Sequence, residues 1–152
     1  MPVSANLIAD AIVTAIRGLD LVADANVLKL KTASLPSGQP LPCIIVCVGE
    51  IGAENRLEPI SYNQKLNRYP TTVTIFKAAD GKKQADDETI RTWRDQLEDE
   101  IDDKAATTFA SVTGFNKVDT VGRTPFLGSA LDRDVVHSQL VFEVEVIEAR
   151  AT

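Results

Sequence analysis

The chain has 152 residues, 44% of them apolar and 25% charged, and this is the make-up of one globular domain, 1–152, that buries about 70% of its unfolded surface without a metal or a disulfide. A net charge of −6 and a pI near 4.8, with sixteen scattered Lys and Arg, exclude a module that grips duplex DNA by its phosphates. No run approaches the ~18 apolar residues of a membrane span, and the opening MPVSANLIADAIVTAIRGLD lacks the basic flank of a secretory signal, so a soluble product of cytosolic synthesis is expected.

The first element is a helix. Leu7, Ile8, Ala11, Ile12, Ala15, Ile16 and Leu19 recur at helical spacing, Asn6, Asp10, Thr14 and Arg17 face out, Ser4 can cap the start, and Gly18 is a natural stop. VLKLK, from Val27 to Lys31, alternates as a strand does. The following stretch with Pro36, Gly38, Pro40 and Pro42 cannot be regular. PCIIVCVG then gives a continuous apolar run, a buried strand from Cys43 to Val48. Cys43 and Cys47 sit about 13 Å apart along such a strand, beyond the ~7 Å ceiling for a disulfide. With no basic neighbour to make a thiolate, they read as core.

Between Gly49 and Asn67 the pattern is an exposed connection whose second half can already be strand. YPTTVTIFKA, Tyr69 to Ala78, is a further strand, and Pro70 must lie at its start, an edge or a bulge because it has no N–H for a ladder. A second helix follows. Asp86, Asp87 and Glu88 crowd its first turn, and Ile90, Trp93, Leu97 and Ile101 form one apolar stripe. The carboxylates Asp95, Glu98, Asp99, Glu100, Asp102 and Asp103 read as a solvated face rather than as a metal or acid–base cluster.

FNKVDTVG, after Gly114, is a strand in which Phe115 and Val118 break strict alternation. The segment from Gly122 to Asp134 interrupts the hairpin to the last strand. At thirteen residues it is longer than an idle hairpin turn, and it carries Phe126 and Leu127 between Arg123 and Arg133, an apolar tip with basic flanks that either contacts a partner or folds back over its own core. The last strand sets Val136, Ser138, Leu140, Phe142, Val144 and Val146 on one side, and His137, Gln139, Val141, Glu143, Glu145 and Ile147 on the other. If it runs from Val135 to Ala149, it is about 50 Å long, against about 38 Å for a compact domain of this size. It must bend or overhang its own globule.

The sum is an α+β fold: a mixed, mainly antiparallel sheet of about four to five strands, packed against two helices and ending in a long C-terminal strand. No residue cluster announces chemistry. GxxxxGK[ST], GxGxxG, CxxC and HExxH are absent, and His137 has no nucleophile in a recognisable setting, so no catalytic residue, metal or cofactor is assigned and an enzyme is not expected.

Taken together, NLIADAIVTAIRGL, YPTTVTIFKAADG, ETIRTWRDQLEDEI and the terminal LVFEVEVIEA resemble the tail terminator (tail completion) proteins of long-tailed bacteriophages, over nearly the whole chain. That resemblance implies a structural virion protein, assembled in the host cytoplasm, whose copies form a ring, expected to be a hexamer. The ring would cap the head-proximal end of the tail tube, end tube polymerisation, and meet both the tail tube protein and the head connector or neck protein. DNA would pass through without specific binding, with Glu143 and Glu145 facing the channel, and Arg123, Phe126, Leu127 and Arg133 on the partner-contacting loop. Two alternatives stand beside it: a head-closure or neck adaptor of the same virion, and a small cytosolic α+β enzyme or ligand-binding domain.

Overall fold

Apolar residues one in two make strands and one in 3.6 make helices, and the computed structural model follows both periods. It describes residues 3–32, 35–49, 56–61, 64–78, 83–123 and 135–149. Helix α1 is Val3–Gly18, one residue ahead of the expected cap. Ile8, Ile12 and Ile16 are fully buried, while Asn6, Asp10, Thr14 and Arg17 are exposed. It ends as Leu19 and Asp20 donate back to the Ile16 and Arg17 carbonyls, Asp20 taking the left-handed conformation.

A short 3-10 turn, Asp24–Asn26, leads into strand β1, Val27–Lys29. β2 is Cys43–Val48, β3 Arg56–Ser61 and β4 Gln64–Ala78. Helix α2, Lys83–Glu98, runs through a π-helical turn, Asp99–Asp103, into the short α3, Ala105–Thr108. β5, Phe115–Arg123, and β6, Val135–Ala149, close the chain. The sheet order is β1-β2-β4-β6-β5, with β3 added to β4. Only β1 and β2 are parallel, so the sheet is mixed and mainly antiparallel, as the sequence indicates.

Cross-strand partners share a face, and the register therefore sorts the sheet. Ile44, Val46, Tyr69, Val73, Ile75, Leu140, Phe142, Val144 and Val146 join Ile8, Ile12, Ile16, Ile90, Leu97 and Ile101 in one core under the helices. Each such side chain contributes about 1.5–3 kcal/mol when fully buried. On the opposite, outer face a smaller cluster of Cys43, Ile45, Phe76, Val135 and Leu35 is flanked by Leu28 of β1, Leu30 just after it, and Leu41 of the Pro-rich bend that also supplies Leu35. That face is thus covered at one end by a segment with no regular structure.

Two details refine the sequence reading. β4 begins at Gln64 rather than Tyr69, and β3, a sixth strand where four to five are expected, falls with it largely in the half of the Gly49–Asn67 connection that can already be strand. Pro70 lies inside β4, opposite Glu143, rather than at its start. A residue's N–H and C=O point to the same edge of an antiparallel strand. The Pro70 carbonyl accepts from Gly49 N at 2.7 Å, so its missing N–H faces the gap between the end of β2 at Val48 and the start of β3 pairing at Asn67. No ladder bond is lost there.

The broken alternation of Phe115 and Val118 also has a cause. β5 bulges between Phe115 and Lys117, so one extra residue intervenes and both Phe115 and Val118 reach the helix face opposite Val146 and Val144. A second irregularity lies between Thr120 and Gly122.

Candidate interaction surface

The dominant feature is the β4–β6 ladder, an unbroken antiparallel register from Gln64↔Ala149 to Ala78↔Val135. Fifteen residues at ~3.4 Å each make a ribbon of about 50 Å. β2 lines it along Thr71–Phe76, β3 along Gln64–Asn67, and β5 along Leu140–Val146.

On the outer face, beyond the reach of the small leucine-rich cluster, the ribbon sets charged and polar groups among half-buried Leu66, Pro70, Val141 and Ile147. Arg68 Nε donates to Glu145 Oε1 at 3.2 Å and Nη1 lies 3.7 Å from Glu143 Oε2. Asn116 Nδ2 donates to the other Glu145 oxygen at 2.9 Å. Glu145 is only 4% exposed, whereas the Glu143 side chain is 37% exposed. Lys117 and Asp119 form an exposed pair at 3.4 Å alongside. The two glutamates singled out from the sequence therefore differ: Glu145 is enclosed by a guanidinium and an amide, and Glu143 carries the accessible charge. Arg68 and Asn116 were not singled out. Neither signals itself in sequence, because Arg68 lies 77 residues from Glu145 and the register alone brings them together.

At the other end of this face His137 stacks on Phe76, ring centroids 5.8 Å apart, and burial lowers its pKa. It is half-buried rather than on an open surface. Gln139 Nε2 donates to Thr74 Oγ1 at 3.2 Å beside it. On the helix face the Tyr69 hydroxyl donates to Glu148, and Arg94 Nη1 donates to the buried Ser138 hydroxyl at 3.2 Å, tying α2 to β6. Cys43 is buried and Cys47 half-buried, and neither is in a disulfide. Arg123 is the last residue of β5, opposite Leu140; Phe126, Leu127 and Arg133 lie outside the described residues.

The charge is unevenly placed. Residues 86–103 hold nine carboxylates against Arg91 and Arg94, a local charge of −7 where the whole chain carries −6. The π-turn within this acidic stretch rests on β5: Thr120 Oγ1 donates to Asp102 Oδ2 at 2.5 Å. Asp103 is held above the usual carboxylate range, first by a hydrogen bond with Asp99, then by partial desolvation and by repulsion from Asp99 and Asp102. By contrast 56–78 carries Arg56, Lys65, Arg68 and Lys77 against Glu58.

A dish of about 400 Å³ opens between α1 and α3, walled by Leu7, Ala11 and Thr14 on one side and Glu100, Thr108 and Ser111 on the other. Among the described residues no group of three or more His, Cys, Asp or Glu is disposed to hold a metal ion, and no helix is long and apolar enough to cross a membrane.

The fold and the ribbon define an α+β protein with a mixed sheet, two principal helices and a long C-terminal strand. No protein-family model matches the chain, and no curated protein matches it. Among solved structures it is similar to a chain from the virion of a native gene transfer agent (GTA) particle, at 16% identity, covering 97% of this chain and 100% of that one, with a TM-score of 0.46. At that score the likeness carries no argument about what this chain does.

Proposed function

We propose that this chain is a structural virion protein and not an enzyme: copies form a ring, expected to be a hexamer, at the head-proximal end of a phage tail tube. There the ring ends tube polymerisation and joins the tail tube protein to the head connector or neck protein. The observation that supports this reading is the β4–β6 ribbon, fifteen paired residues on each strand. At about 50 Å it exceeds the ~38 Å breadth of a compact chain of this size, and such a ribbon is fully used only where copies stand side by side.

In this reading the outer sheet face lines the channel. Arg68 and Lys117 there stand against Glu143, Glu145 and Asp119. The sum is one negative charge, enough to keep DNA from being held as it passes. Arg123, Phe126, Leu127 and Arg133 belong to the segment offered to the tube or the connector.

Native mass spectrometry and negative-stain imaging of the purified chain, alone and with tube protein, test the proposal. A closed ring is expected. A monomer at every concentration, with tube protein present as well, removes it, and a reconstruction with Glu143 outside the channel removes the lining assignment alone.

A further inference from the structure

We propose that copies of this chain join edge to edge, the free edge of β3 in one copy lying against the free edge of β5 in the next, so that the sheet continues from copy to copy. This rests on the ring reading above and names the contact within it.

The described sheet ends in three strands with a single partner each: β1, β3 and β5. β1 is closed to addition. It has three residues, Arg17 Nη2 donates to its Val27 carbonyl at 3.2 Å, and Lys29 is tied to Asp10 at 2.7 Å. Short edges covered by charged groups resist pairing. β3 and β5 remain, and they lie on opposite sides of the sheet, β3 beyond β4 and β5 beyond β6.

Direction favours the junction. β3 is antiparallel to β4, β4 to β6, and β6 to β5, so β5 runs opposite to β3. A second copy shifted sideways, with its strands kept in the same sense, therefore presents β5 to β3 as an antiparallel pair. The bulges of β5 leave Lys117–Thr120 as its regular run, and Val121 beside it, 56% exposed, is the exposed large hydrophobic residue of the described chain. A neighbour at this edge covers it.

Charge favours the same junction. The acidic π-turn that touches β5 through Asp102 and Thr120 carries Asp99, Glu100, Asp102 and Asp103 against Lys104, which pairs with Asp99 and Glu100, while the sequence of β3 and the start of β4, 56–65, carries Arg56 and Lys65 against Glu58. One flank of each copy is thus negative and the other positive, a head-to-tail complementarity that a ring requires and a two-fold dimer does not.

The two edges are not level. β3 stands opposite the Val146–Ala149 end of the ribbon and β5 opposite Leu140–Val146. Joining them moves each copy along the strands by four or five residues, about 15 Å. A stagger of this kind is what a sheet needs to close on itself.

A charge swap tests the junction. One variant carries Asp99→Lys and Asp103→Lys, a second carries Arg56→Glu and Lys65→Glu, and circular dichroism confirms that each folds. Each alone is expected to need at least tenfold more protein to self-associate, and a 1:1 mixture is expected to recover assemblies with an even number of copies. Val121→Asp, a single change at an exposed site, gives the same loss without the charge swap. Either charge variant assembling as the parent does, or a mixture that stays monomeric, overturns the β3–β5 junction while leaving the ring intact. A parent chain that never self-associates removes the ring reading and this junction with it.

Discussion

Arg68 on β4 and Glu145 on β6 are direct cross-strand partners, and their side chains meet at 3.2 Å with the glutamate almost wholly enclosed. An enclosed carboxylate stripped of its cation keeps its desolvation cost. Arg68→Met is therefore expected to destabilise the chain by about 2 kcal/mol, less than for a fully buried pair because the arginine is partly solvated. The double variant Arg68→Met/Glu145→Leu should recover most of that loss. Urea unfolding of the two singles and the double measures it, and additive effects would show that the pair is not coupled.

Gly114 turns the chain into β5 with φ at +82°, its carbonyl accepts from Ile147 N at 2.8 Å, and a Cβ added there would lie 2.1 Å from the Ile147 carbonyl oxygen. Strain and collision act together, so Gly114→Ala is expected to cost more than about 2 kcal/mol. Gly122→Ala is the control, with nothing within 4 Å of the new methyl. Equal melting temperatures for the two variants would contradict the geometry.

The chain's one histidine gives a pH signature. Burial holds the folded pKa of His137 below its ordinary 6.5, so the unfolded chain takes up the proton first. Stability is expected to fall as the pH drops from 6.5 through the lower folded value, with no contribution from this group above neutrality. His137→Phe, which keeps the stack on Phe76, should flatten that part of the profile in denaturant titrations between pH 7.5 and 5. An unchanged slope would assign the acid loss to the carboxylates.

Thiol labelling separates the two cysteines. Cys43 is sealed in the sheet, and Cys47 donates its thiol to the Lys31 carbonyl at 3.0 Å with its pKa raised by burial. In native protein Cys43 should resist maleimide and Cys47 should react slowly, with both labelled at once in urea. Fast native labelling of Cys43 would mean that β2 opens readily.

Most of the fold was legible because burial and period coincide. Ile8, Ile12 and Ile16, and the alternation from Val136 to Val146, read directly as faces of a helix and a strand. β3 and the first five residues of β4 were legible only as a connection whose second half can be strand, since Gln64, Asn67 and Arg68 carry no apolar alternation and pair because β6 extends far enough to meet them. The same reason hid the site. Glu145 looks like an exposed acid in sequence, and only the cross-strand register supplies the arginine that encloses it.

The leucine-rich bend covers the outer face at Phe76 and Val135 and stops well short of Leu66 and Ile147. β4 and β6 are therefore clamped from above and below at one end, and among the described residues they have a helical backing alone at the other. Backbone amides along a single strand should exchange with solvent on a gradient, slowest near Ile75 and fastest near Gln64. A ribbon graded in this way holds its shape at the root while its tip yields to whatever surface it meets.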